Sequence, residues 1–287
     1  MSEKQNIREE ITNNIIAMME KNTGEWIKPF AGLAARPMNP KTEKNYSGLN
    51  AFYLSLLGNS YWATFNQWKE IGAKIKKGSK ATRVMRPQAI TKKDENGKPE
   101  VDAEGNVKKF TIYKAYPVFS AAQVEGWEAP ELPTISNVQR IENADKYLRN
   151  LRSVINFTDA GQAFYDRSND QITLPKECLF NDTEGFYSTW CHEEIHKTGA
   201  PSRLDRIKGK KFGDRDYAFE ELVAEIGAAM LCVQLRVTPT VRQDHAEYIG
   251  SWLKALRNDK KYLADAATLA GEAIDFMDAQ QTNRAAA

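Results

Sequence analysis

Residues 183–199 run Thr-Glu-Gly-Phe-Tyr-Ser-Thr-Trp-Cys-His-Glu-Glu-Ile-His-Lys-Thr-Gly, a stretch that sets the architecture of the second half of the chain. Asp182 or Thr183 supplies an N-cap, Phe186 and Trp190 mark a core-facing side, and Gly199 marks the end, so the stretch predicts one helix. Within it lies His192-Glu193-Glu194-Ile195-His196. Positions i and i+4 share one face of a helix, so both imidazoles can reach a single zinc ion. Glu193 then sits beside the metal, placed to take a proton from a water. The chain holds only three histidines and two fall in this motif, which makes chance spacing a poor explanation. Two surface histidines on a charged helix are the competing reading.

A catalytic zinc needs a third protein ligand and an open position. The longer pattern HExxHxxGxxH finds its glycine in Gly199 but Ser202 in place of its last histidine, so that subclass is rejected. His245 is a weaker candidate than a carboxylate and reads as a surface or core histidine. The segment Tyr217–Leu231 predicts a helix whose stripe Phe219, Leu222, Val223, Ile226, Met230 and Val233 is core. Ala224, Gly227 and Ala228 form a small-residue side where a second helix can approach closely. Glu221 and Glu225 border that side one turn apart, whereas Glu220 points about 100° away from Glu221. Glu221 is therefore assigned as the third ligand. Glu225 is placed behind a ligand histidine, fixing its tautomer, and an exchange of these two roles stays open. Glu220 reads as a solvated glutamate.

This donor set points to metal-assisted amide hydrolysis, with Zn2+ polarising the carbonyl and Glu193 carrying the proton from water to the leaving nitrogen. Strand signals at 161–166 and 171–174, separated by Ser168-Asn169-Asp170, predict a hairpin whose edge can take an extended peptide. Arg203, Arg206 and Tyr217 are candidate oxyanion partners, with salt bridging the favoured alternative for both arginines. Cys191 reads as a packed small hydrophobe.

The composition sets the frame around this centre. The 287 residues are 41% hydrophobic and 10% aromatic, enough for a sizeable core, so global disorder is excluded. No run of about 18 apolar residues occurs, so no membrane span is expected. The opening MSEKQNIREEITNN lacks the apolar stretch of a secretory signal. Cys178, Cys191 and Cys232 are an odd, sparse set without a CxxC pair, which argues against a disulfide framework. A cytoplasmic protein with no membrane contact is expected.

The net charge of +2 hides an asymmetry. The first 120 residues hold 20 Lys and Arg against 12 Asp and Glu, and the remainder hold 20 against 26. Residues 66–93 alone carry nine basic side chains against Glu70. Aromatics lie just before them, at Tyr53, Tyr61, Trp62, Phe65 and Trp68. Cations interleaved with rings suit single-stranded nucleic acid, whose phosphates need charge and whose unpaired bases stack. Phe65 and Trp68, at helical spacing, are expected to pack inward. Lys76-Lys77-Gly78 is expected at a turn where a phosphate can approach the backbone. A solvated basic face with no ligand is the alternative.

Helices are expected at 5–21, 49–58, 62–72, 136–152, 183–198, 216–235, 243–257 and 260–279. Strands at 82–90 and 109–119 flank a long polar tip. The acidic, Pro-containing stretch 125–133 marks a boundary between domains at 1–125 and 135–284. The fold class is α+β in two domains.

Beyond chemistry, the residues carry a resemblance. Trp26…Pro29-Phe30, Asn45-Tyr-Ser-Gly-Leu-Asn50, Trp62-Ala-Thr-Phe-Asn-Gln-Trp68 and Gly72-Ala-Lys-Ile-Lys-Lys-Gly78 resemble the N-terminal domain of ArdC-type antirestriction proteins, a domain similar to one in TraC-type plasmid primases. Tyr165–Pro175, His192–Gly199, Ser202-Arg-Leu and Glu220–Glu225 resemble the same family's zincin-type metallopeptidase domain. The resemblance implies an N-terminal single-stranded-DNA-binding domain and a C-terminal zinc-peptidase-like domain that together protect incoming DNA from host restriction during conjugation. On this chain it implies His192, His196 and Glu221 as metal ligands and Glu193 as the catalytic glutamate. Candidate DNA-binding residues are Trp26, Tyr46, Tyr53, Trp62, Lys74, Lys76, Lys77, Lys80 and Arg83. Many relatives carry histidine after the Thr-Gly, where this chain has Ala200. No primase motif is present.

Three functions follow from these readings. The first is an antirestriction protein that binds single-stranded DNA and has a peptidase domain, with a host protein as the substrate. The others are a DNA-dependent protease acting on DNA-attached proteins, and a DNA-coating protein with a structural zinc.

Overall fold

The computed structural model describes residues 6–21, 33, 35–102, 104–131, 136–206, 215–238 and 260–285. Helix α1 (Ile7–Lys21) buries Ile7, Ile11, Ile15 and Met19 on one stripe, the spacing that an amphipathic helix requires. Strands β1 (Met38–Asn39) and β2 (Lys44–Asn45) form a short antiparallel pair. Helix α2 (Gly48–Leu56) is buried on nearly every side, including Leu49, Phe52, Tyr53 and Leu54. Strand β3 (Trp62–Ala63) leads into α3 (Phe65–Glu70), which Thr64 and Gln67 close with a reciprocal capping box. Strand β4 (Lys74–Ile75) follows.

Strands β5 (Thr82–Thr91) and β6 (Lys109–Ser120) pair antiparallel from Thr82↔Val118 to Thr91↔Lys109, and β3 joins the base of β6. The tip between them is tied by two aspartates. Asp94 accepts from the Asn96 and Lys98 amides, and Asp102 from those of Glu104 and Asn106. Strand β7 (Val124–Glu125) pairs with β4.

The second half opens with α4 (Asn137–Asn150), capped by Ser136. A three-stranded sheet follows, built from β8 (Val154–Thr158), β9 (Phe164–Asp166) and β10 (Gln171–Pro175). Its order is β8-β10-β9, with β8 parallel and β9 antiparallel to the central β10. The predicted hairpin is the β9–β10 pair, and β8 is an additional strand. Helices α5 (Thr183–Thr198), α6 (Arg215–Leu235) and α7 (Lys260–Ala285) complete the fold. The predicted helix 243–257 lies outside the described residues.

The architecture is α+β in two domains, and the two share a core. One buried cluster runs from Ile11 and Phe52 in the first half to Ile195, Leu222 and Ala267 in the second. Helix α7 packs against α6 on one side and against α1 and α2 on the other. The contact with α2 is close at Gly48, whose φ of +52° suits glycine and where a Cβ would lie 3.2 Å from Thr268 Oγ1. Small side chains along α7, among them Ala264, Ala267 and Gly271, let the helices approach.

Candidate metal centre and basic surface

Helix α5 begins where Asp182 Oδ1 accepts the Gly185 amide at 2.6 Å, which satisfies a free N–H of the first turn. Trp190 and Phe186 pack into the core and hold the helix against the sheet. The opposite side presents His192 and His196, one turn apart, with Nε2 atoms 3.0 Å from each other.

The partner surface is α6, which buries Leu222, Val223, Ile226 and Met230 as its stripe predicts. Gly227 meets α5 so closely that a Cβ there would lie 2.8 Å from Ile195 Cδ1. That approach brings the carboxylates of α6 to the histidines. Glu221 Oε2 is 3.6 Å from His192 Nε2, and Glu221 Oε1 is 3.4 Å from His196 Nε2. A tetrahedral ion with bonds of about 2.0–2.1 Å needs its donors about 3.3–3.4 Å apart. The separations of 3.0, 3.4 and 3.6 Å, the last two to different oxygens of Glu221, lie near that value, and one donor atom from each residue lies within 4.8 Å of the others, so His192, His196 and Glu221 fit one divalent cation.

Both ring nitrogens facing away from this triangle meet carboxylates. Glu225 Oε1 lies 3.5 Å from His192 Nδ1, and Glu220 Oε1 lies 3.2 Å from His196 Nδ1. Each carboxylate can accept a proton held on Nδ1, the arrangement that turns Nε2 toward a metal. Glu220 is thus no solvated glutamate. It is buried, and Arg206 holds it with Nε–Oε2 and Nη2–Oε1 distances of 3.1 and 2.9 Å. Arg206 also donates to Thr198 Oγ1 at 2.6 Å and to the Ile195 carbonyl. The chain after Ala200 carries Arg206 back over the end of α5, a long-range contact that periodicity along α6 does not register. Arg206 is therefore a salt-bridging residue, and so is Arg203, which holds Asp170. Asp170 also accepts from Tyr165 Oη at 2.8 Å.

The electrostatics follow from burial among carboxylates. Taken as free side chains, the two histidines diverge. Burial lowers the pKa of His192, against the opposing pull of Glu221. Burial also works against a charged His196, but Glu221 and Glu220 outweigh it and push the ring up to about 10. Glu221 is held well below the usual carboxylate range because His196 and His192 overcome its burial. Glu193 is 2% exposed, and its charge favours the protonated form of His192. Of the three donors, His196 has the most exposed side chain, at 12%.

A buried network on the far side of α5 escaped the sequence reading. Glu194 accepts from Trp190 Nε1 at 3.0 Å and from Ser153 Oγ at 2.7 Å, and Ser153 accepts from Lys197 Nζ at 2.8 Å. Burial raises the Glu194 carboxyl, with Lys197 opposing. Cys191 is fully buried, as its reading as a small hydrophobe requires.

In the first half, the candidate DNA-binding residues separate. Trp26, like His245, lies outside the described residues. Tyr53 and Trp62 are buried. The Tyr53 hydroxyl accepts from Asn14 at 3.1 Å, and Trp62 Nε1 donates to the Asn59 carbonyl at 2.8 Å. Neither ring presents a face for stacking, because each fills a core and its polar atom is satisfied inside it. Tyr46 is half-buried, donates to the Trp62 carbonyl at 3.0 Å, and has its phenol pushed up to about 12, chiefly by burial. Lys74, Lys77 and Lys80 are exposed. Lys76 is exposed too, with its ammonium on the Ala122 carbonyl at 2.9 Å. Arg83 is exposed but pairs with Glu10 at 2.5 Å. Trp68 packs inward, whereas Phe65 is 56% exposed.

Comparison with known proteins gives this geometry a family. A model of the N-terminal domain of anti-restriction factor ArdC matches residues 5–119, and a zincin-like metallopeptidase model matches residues 142–269. The metal-free crystal structure of the antirestriction protein ArdC from plasmid R388 superposes with a TM-score of 0.79 at 34% identity, covering 96% of this chain and 98% of that one. The chain belongs to the ArdC family. A second R388 ArdC structure, with Mn(II) bound, matches with a TM-score of 0.75 at 32% identity over the same shares of the two chains. Protein y4eC of Sinorhizobium fredii is 32% identical over 286 residues, 96% of this chain and 93% of that protein. A DNA primase TraC of Escherichia coli is 33% identical over 291 residues, but this ArdC-family chain spans only 20% of its length. No helix among the described residues is long and apolar enough to cross a membrane.

Proposed function

We propose that this chain is a cytoplasmic antirestriction protein of a mobile element. It binds single-stranded DNA through its basic half, holds Zn2+ between His192, His196 and Glu221, and hydrolyses peptide bonds of a host protein with Glu193 as general base. The observation that carries the reading is the donor triangle, whose separations suit a tetrahedral ion. Kinship with the R388 antirestriction protein supports the biological role, and kinship with the TraC primases supports a nucleic-acid partner. Two imidazoles and one carboxylate favour zinc over a harder cation that prefers oxygen ligands.

When bound there, zinc supplies Lewis acidity to a carbonyl and to a water. Glu193 accepts the proton of the attacking water and returns it to the departing amide nitrogen. Glu220 and Glu225 hold the imidazole protons on Nδ1, so each Nε2 keeps its lone pair for the metal. The outer edge of β9 supports a role in taking up an extended peptide, since β9 borders its sheet and contacts α5. Lys74, Lys76, Lys77 and Lys80 supply charge to phosphates.

The test compares the unsubstituted chain with Glu193→Gln, which keeps the ligands and removes the base. Both should carry one Zn2+ per chain by elemental analysis and bind single-stranded oligonucleotides equally. Only the unsubstituted chain should cleave protein. Undiminished restriction protection by the variant would transfer the role to DNA coating with a structural metal. Cleavage confined to DNA-attached proteins, with no effect on restriction, would make the chain a DNA-dependent protease.

A further inference from the structure

The β5–β6 ribbon has two faces that are treated differently. Arg83, Met85, Tyr113 and Ala115 lie on one of them. There Arg83 pairs with Glu10, Arg8 sits 4.8 Å over the Tyr113 ring, and Met85 and Ala115 pack against the core beside α1. That face is occupied by the protein's own first helix.

Among the described residues the other face is covered only at its base, where Val84, Tyr116 and Val118 pack with Leu54 and Trp62. Beyond that base it presents three cross-strand pairs in succession, Arg86↔Lys114, Gln88↔Ile112 and Ile90↔Phe110. Successive same-face residues stand about 6.5–7 Å apart along a strand. Phe110 is 49% exposed, and Arg86, Gln88 and Lys114 are exposed as well. Arg86 lies 5.4 Å over the Tyr116 ring, which orients its guanidinium along the ribbon.

Like charges directly opposite on a ribbon are destabilising, and here Arg86 and Lys114 face each other. The two strands contain no acidic residue, and among the described residues no carboxylate pairs with either cation. An anionic ligand removes that repulsion, and an exposed ring two pairs further along gives an unpaired base a surface to stack on.

We propose that this face, carrying Arg86, Gln88, Ile90, Phe110, Ile112 and Lys114, is where single-stranded nucleic acid lies, with Arg86 and Lys114 on its phosphates and Phe110 under a base. The inference rests on the reading of the chain as a single-strand binder and locates that binding on residues outside the lysine cluster 74–80. A two-stranded ribbon can also enter the major groove of a duplex. The exposed Phe110 ring favours the single strand, because paired bases offer no free face.

The test measures fluorescence anisotropy of the full-length protein with a labelled 20-nucleotide oligo-dT and with the same strand annealed to oligo-dA, at several salt concentrations. Phe110→Ala should weaken single-strand binding by about 5- to 150-fold with an unchanged salt slope. The double variant Arg86→Ala/Lys114→Ala should lower the salt slope by about 1.4, two phosphates at about 0.7 each. Thr111→Ala, on the opposite face of the ribbon, should bind as the unsubstituted chain does. Normal single-strand binding by both ribbon variants overturns the location alone. Failure of the unsubstituted chain to bind any oligonucleotide overturns the single-strand reading itself, and tighter binding to the duplex overturns the assignment of Phe110 to an unpaired base.

Discussion

Glu220 Oε1 stands 3.2 Å from His196 Nδ1, on the edge of the ring away from Glu221. Arg206 grips the same carboxylate through both of its oxygens. The arrangement is a relay of charge that begins at the end of α5 and terminates on the ring whose other nitrogen, Nε2, faces His192 and Glu221. Glu220→Gln should therefore weaken metal affinity by about 10- to 100-fold, measured by competition with a chromophoric chelator. Unchanged affinity would reduce the pair to a tie between helix ends.

Metal uptake should release protons. His196 is raised to about 10, so below that pH it is charged and the ion must displace its proton. At pH 7.5 calorimetry in buffers of different ionisation enthalpy should report about one proton released per ion. Apparent affinity should fall about tenfold for each pH unit of acidification between about 10 and 6.5. In the chain without metal the linkage runs the other way. Stability from the charged ring is fully present below about 6.5 and is lost as pH rises through about 10. A flat affinity profile across that window would show that the ring is already neutral.

Gly227→Ala should loosen the centre without touching a ligand. The added methyl would meet Ile195 Cδ1 at 2.8 Å and Cγ1 at 3.0 Å, and Ile195 is fully buried. Overpacking costs about 1–3 kcal/mol, offset by about 1 kcal/mol of helix propensity gained over glycine. A net loss of about 1 kcal/mol in urea unfolding is expected, together with weaker metal binding as α5 and α6 move apart. A stabilised variant with normal affinity would show that Ile195 can step aside.

Gly48→Ala probes the contact between the halves. Its φ of +52° costs a substituted residue about 1–2 kcal/mol. Thr268 cannot easily yield, because its hydroxyl donates to the Ala264 carbonyl at 2.8 Å. A drop of roughly 2–8 °C in Tm is expected, with metal affinity unchanged. Loss of metal affinity at equal stability would mean that α7 transmits the change to α6.

The legible parts of this molecule are those governed by local periodicity. Helix α5 occupies the predicted 183–198, and the strands of the ribbon extend the predicted ones by one residue each, because cap, stripe and alternation are all written in neighbouring positions. Strand β8 was not legible. Its Val154 and Phe157 are exposed, and it exists through parallel pairing with a strand some 17 residues later. Glu220 was misread because what buries it is Arg206, which reaches it from outside its helix. Tyr53 and Trp62 were misread for a related reason. A ring next to lysines can serve a ligand or a core, and only the tertiary fold places Asn14 and Leu54 against these two. Phe65 erred in the opposite direction, since a six-residue helix has room to bury Trp68 but not its first residue as well.

The shared core has a consequence for how the chain behaves when cut. A cleavage between Glu131 and Ser136 separates the two halves covalently, yet α1 and α2 remain embedded beside α7 through Ile11, Phe52 and Ala267. The nicked protein should travel as one particle in size-exclusion chromatography. Either fragment expressed alone would expose apolar surface that its other half normally covers, so both are expected to be rescued by co-expression rather than by shortening.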